Sequence, residues 1–82
     1  MIDVKQAVNA AIAYVNDFPS LLSTANVRLE ETELSDTETY WNITLSFIEN
    51  ALMGTRTYRI FKIDAETGVV KSMKARNIFK QA

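Results

Sequence analysis

From residue 26 to residue 75 the chain carries four strand-like runs, about 26–34, 39–48, 56–64 and 69–75, and no stretch with helical spacing between them. Parallel neighbours need a crossover of a dozen or more residues, usually a helix, so this order forbids parallel pairing. The expected sheet is an antiparallel meander. The helical spacing is all at the start: Val4, Ala7, Val8, Ala11, Ile12, Val15 and Phe18 recur every three or four residues. That is one apolar stripe, and the spacing predicts a helix over about 4–18. Asp3 stands at the N-cap with Gln6 three residues on, the spacing of a capping box, and Ile2 and Ala7 are placed to form a staple across that start. Pro19 ends the helix by forcing the residue before it out of the α region. The fold expected is α+β, with one N-terminal helix packed on a four-stranded antiparallel meander, as a single domain over residues 1–82.

The strand at 39–48 is the most regular. Trp41, Ile43, Leu45 and Phe47 alternate with Tyr40, Asn42, Thr44 and Ser46, which places the first set in the core and makes Trp41 a packing anchor. In the run 26–34, Val27 and Leu29 share one face until Glu31 and Glu33 take the apolar parity, so the strand leaves the core there or bulges. Leu21 and Leu22 are expected to plug one end of the core, and the segment around Gly54 to make a longer connection. The last two strands form a hairpin on Asp64-Ala65-Glu66-Thr67-Gly68, a type I turn closed by the glycine. Neither face of this hairpin is purely polar. Tyr58 and Ile60 alternate with Phe61 and Ile63, and Val70 is out of step with Val69 and Met73.

One helix covers one face of such a sheet. The residues left for the other face are Tyr40, Ile48, Tyr58, Ile60, Lys62 and Met73, which together form the candidate interaction surface. Ile78 and Phe79 are available to fold back over part of it; otherwise a second chain covers it. A chain of 82 residues with neither Cys nor His has no disulfide or zinc staple, so packing or association must supply its stability.

Composition removes most chemistry. Without His or Cys there is no imidazole base, thiol nucleophile or ordinary transition-metal site. With only Gly54 and Gly68, neither a phosphate-binding loop nor a dinucleotide fingerprint can be built. Counted from Asp64 as an EF-hand loop, Gly68 is fifth and Ala75 twelfth, which fails the required sixth and twelfth places. Glu31 and Glu33 read as a solvated, acidic edge rather than an acid–base pair. The acceptor pattern Asn42-Ile43-Thr44 lies inside a strand and is discounted. The expectation is a non-enzyme without cofactor or metal.

Charge is uneven. Residues 1–50 hold eight acids and two bases, and residues 51–82 hold seven bases and two acids. Neutralisation between neighbouring strands is the simpler reading. Arg56, Tyr58, Arg59 and Lys62 interleave bases with an aromatic in the manner of a single-strand nucleic-acid surface, but a net charge of −1 makes nucleic acid an unlikely partner. The N-terminus has no signal-peptide or membrane-spanning pattern, so a soluble cytoplasmic chain is expected.

The leading helix, then "YWNITLSF", then "YRIFKIDAETGVVKSM" resembles the PepSY domain and its cystatin-like relatives over most of residues 4–75. The shared pieces include the Asp64–Gly68 turn followed by a short hydrophobic strand. The resemblance implies a helix cradled by a curved antiparallel sheet, and a non-catalytic role in binding or restraining peptidases. The function expected is a small protein-interaction module that binds another protein or itself as a homodimer. A small-ligand carrier using the helix–sheet cleft, or a weak nucleic-acid binder using the basic C-terminal half, are the alternatives.

Overall fold

The computed structural model describes residues 1–17, 25–50 and 55–75. The expectations for Phe18, Pro19, Leu21, Leu22, Gly54, Ile78 and Phe79 lie outside the described residues. The elements are α1 (Val4–Asn16), β1 (Ala25–Leu34), β2 (Tyr40–Asn50), β3 (Thr55–Asp64) and β4 (Val70–Ala75). The four strands form one sheet in the order β1-β2-β3-β4, every pair antiparallel. The α+β meander read from the sequence is the fold observed.

The start of α1 is fixed locally. The Asp3 carboxylate accepts from the Gln6 backbone N–H at 2.8 Å, and the Asp3 N–H donates to the Gln6 side chain at 2.9 Å. Two of the orphan donors of the first turn are thereby satisfied. Ahead of the helix, Ile2 ties three elements together. Its N–H donates to the Ala65 carbonyl at 2.7 Å, and its own carbonyl accepts from the Trp41 indole at 3.2 Å. Trp41 is therefore both packing and anchor: its ring lies against the core and its polar edge finds a partner.

Ala7, Ala11 and Val15 of α1 are buried against Ile43, Leu45 and Phe47 of β2 and Phe61 and Ile63 of β3. Small residues at the contact let the helix lie close to the sheet, so the large side chains come from the strands. Tyr14 meets Phe61 edge to face, with ring centroids 6.1 Å apart and planes at 79°. The helix touches all four strands, on one side of the sheet.

Besides a shift at the end of β2 between Ile48 and Asn50, three register shifts, each adding one residue, decide which side chains reach that side. The first lies between Ala25 and Arg28 and the second between Leu29 and Glu31 on β1. The second leaves Glu30 as the extra residue, so that Leu29 pairs with Leu45 while Glu31 and Glu33 pair with Thr44 and Asn42 on the opposite face. The acidic residues keep the strand and leave the core. The third adds Lys71 to β4, between the pairs Lys62–Ser72 and Ile63–Val70. Val70 and Met73 thus stand under the helix opposite Ile63 and Phe61, although their spacing of three does not fit a regular strand. This corrects the placement of Met73, which belongs to the covered face and not to the interaction surface. Val69, just ahead of β4, is 60% exposed.

Both described turns are built from side-chain bonds. In the β3–β4 turn the Asp64 carboxylate accepts from the Glu66 and Thr67 N–H groups at 2.8 and 3.0 Å, and Gly68 takes φ +79°. Those two bonds, with the more distant Lys71 ammonium, hold the Asp64 carboxyl below its ordinary range. The Ile2 side chain would sit 3.7 Å from a Cβ at Gly68, an ordinary contact, so conformation and not space selects glycine there. In the β1–β2 turn the Ser35 hydroxyl accepts from the Thr39 and Tyr40 N–H groups at 3.2 and 3.3 Å, and exposed Glu38 is held at φ +57°. A glutamate gains nothing from that left-handed conformation. Glu38→Gly should therefore raise stability by about 0.5–1 kcal/mol, or roughly 2–8 °C in Tm by calorimetry. A lower Tm would show that the turn relaxes by another route.

Candidate interaction surface

The face of the sheet opposite α1 is laid out in rows by the continuous pairing of β2 with β3. One row is Glu33, Asn42, Lys62 and Ser72, and the next is Glu31, Thr44, Ile60 and Lys74. Arg28, Ser46 and Tyr58 form a third, and Ile48 pairs with Arg56 beyond it. Tyr40 stands at the other end opposite Asp64. Five of the six residues expected on this surface, Tyr40, Ile48, Tyr58, Ile60 and Lys62, are brought together here and are half-buried. Met73 is not among them. No helix or strand of the described residues lies over this face.

The interleaved cluster of Arg56, Tyr58, Arg59 and Lys62 divides between the two faces. Arg59 pairs with Leu45 and Ala75, in the parity of the helix side, while the other three belong to the open side. A strand presents every second residue, so four residues spaced like these cannot make one patch.

The middle of the face is polar and closed. Thr44 and Ser46 are buried on the central strand, walled by the longer side chains of its neighbours. The Ser46 hydroxyl donates to Glu30 Oε2 at 2.5 Å and accepts from Arg56 Nη1 at 2.9 Å, while Arg28 Nε donates to the same Glu30 oxygen at 3.2 Å. The bulge that expels Glu30 from the ladder is what aims its carboxylate at Ser46. These residues escaped the sequence reading, since alternation marks Ser46 only as outward and the acid reaches it through an irregularity. The Ser46 hydroxyl, then Arg28, hold the Glu30 carboxyl below its ordinary value.

Around this centre the charges are sorted. Lys62 Nζ lies 4.2 Å from the centroid of the Tyr40 ring, a cation–π contact. Tyr40 and Asn42 form a ridge between two shallow depressions. One, of about 220 Å³, is lined by Ile60, Lys62, Ser72 and Lys74; the other, of about 190 Å³, by Glu33, Ser35 and Asp36. On this face β1 carries Glu31 and Glu33 with Arg28 at its far end, and β3 and β4 carry Lys62 and Lys74. Among the described residues no cluster of His, Cys, Asp or Glu could hold a metal ion, and no helix is long and apolar enough to cross a membrane. No family model, curated protein or solved structure matches the chain.

Because the folded pKa of Glu30 is lowered, its contribution to stability is full above the ordinary glutamate range and is lost as pH falls through the lower folded value. Glu30→Gln should unfold at a lower temperature than the parent at neutral pH. The gap should close below about pH 4.5, where the parent's carboxylate also takes up its proton. Thermal melts from pH 7 to pH 3 measure this, and a gap independent of pH would mean that the carboxylate's charge contributes nothing.

Proposed function

We propose that this chain is a small non-enzymatic protein-interaction module, PepSY-like in layout, whose open sheet face is the binding surface. One observation carries the reading: Tyr40, Ile48, Tyr58 and Ile60 are spread, half-buried among charged side chains, along one face over which no described element lies. Tyrosine and arginine over a closed polar centre, ringed by charge, is a composition suited to protein contacts. The acids of β1 share the face with the bases of β3 and β4, which disfavours a polyanion such as nucleic acid. On the other side, Phe47, Phe61, Ile43, Leu45 and Ile63 fill the space beneath the helix that a ligand carrier would need to leave open. The PepSY resemblance makes a peptidase the first foreign partner to try.

Side-chain footprinting tests the reading by comparing the chain in its native extract with the purified chain at high dilution. Tyr40 and Tyr58 should be protected in the extract, while Tyr14, on the helix side, should label equally in both. Equal labelling of all three tyrosines in both samples would remove the open face as a binding surface.

A further inference from the structure

We infer that the partner of the open face is a second copy of this chain, stacked face to face about a two-fold axis that runs parallel to the strands. The inference rests on reading that face as an interface, and it adds the occupant and its orientation. The warrant is the sorting of charge across the sheet. Exposed Glu31 and Glu33 stand on β1, at one side of the face, and Lys62 and exposed Lys74 stand on β3 and β4 at the other.

Only some ways of stacking two such faces are electrostatically allowed. A half-turn about an axis across the strands lays β1 on β1 and β4 on β4. Centred on the Thr44 row, it sets Glu31 against Glu31 and Lys74 against Lys74, and only Glu33 meets an opposite charge, Arg28, so it is the costlier arrangement in a closed interface. A half-turn about an axis along the strands, midway between β2 and β3, lays β1 of one copy on β4 of the other and β2 on β3. Glu31 then faces Lys74 of the second copy and Glu33 faces Ser72, while Thr44 meets Ile60 and Ser46 meets Tyr58, each contact made twice. The strands of the two sheets remain nearly aligned, the packing that twisted sheets adopt face to face at about 10 Å. The Glu30–Ser46–Arg56 bonds keep the polar centre satisfied inside each copy, so stacking leaves no new demand there.

Size sets the strength. Four strands about 4.8 Å apart, paired over some eight residues of about 3.4 Å, present roughly 500 Å² in projection. That is below the ~800 Å² per partner of a standard stable interface, so the dimer is a reversible one.

Sedimentation equilibrium of the purified full chain, from micromolar to millimolar and at low and high salt, tests the inference. The expected result is a monomer–dimer equilibrium that weakens with salt. Glu31→Lys and Lys74→Glu alone should each raise the dimer Kd by about tenfold or more, and the two together should restore it, since the reversed charges again face each other. Circular dichroism of each variant separates lost association from lost folding. A dimer indifferent to the reversals, or not restored by the pair, overturns the inference. A chain monomeric at every concentration also overturns it. Protection of Tyr40 and Tyr58 in the extract, with a purified chain that stays monomeric, would assign the face to a different protein. Protection in neither sample would end both readings.

Discussion

A single helix is about 10–12 Å across and a four-stranded sheet about 19 Å wide, and the rest of the structure follows from that mismatch. The helix shields one side of the sheet and no more. Even on that side the cover thins at the rim, where Leu29 of β1 pairs with fully buried Leu45 yet is itself 48% exposed. The core is consequently a narrow strip. Ala7, Ala11 and Val15 lie along one line and Phe47, Phe61, Ile43, Leu45 and Ile63 across from it. With so little buried volume, hydrogen bonds at the ends carry unusual weight. The Asp3–Gln6 box, the Ile2 clasp on Ala65 and Trp41, and the Asp64 and Ser35 turns hold the layers in register.

How far this was legible in the sequence depended on regularity. The stripe from Val4 to Val15, the capping box and the alternation from Trp41 to Phe47 each follow a single period, and each element formed where that period placed it. The turn at Asp64–Gly68 was legible for a different reason, since glycine in a left-handed position leaves few alternatives. Parity failed only beyond an inserted residue. Glu31 and Glu33 signalled the bulge at Glu30 because charge does not sit under a helix. Lys71 gave no such warning: Val69, Val70 and Met73 are all apolar, and nothing in their spacing says which residue is extra. Spacing alone therefore places Met73 on the wrong face.

The same irregularity builds the candidate surface. Glu30 meets Ser46 because it is the residue the ladder rejects, and Ser46 in turn receives Arg56 from the other side. A buried hydroxyl on a face with no described cover is thus satisfied from within. Acidic and doubly bulged, β1 is a poor template for edge-to-edge pairing. The proposed contact runs instead through the face, whose polar centre is flanked by Tyr58, Ile60 and Ile48.

The two sides of the sheet must differ in access to solvent in the isolated chain if only one of them is covered. A soluble gadolinium chelate added to a dilute NMR sample measures that access directly, side chain by side chain. Methyl and ring signals of Ile48, Tyr58 and Ile60 should broaden strongly, while those of Ile43, Leu45, Phe47 and Phe61 should stay sharp. If both sets are shielded alike at a dilution where the chain is monomeric, the chain covers its own second face and the surface is not one.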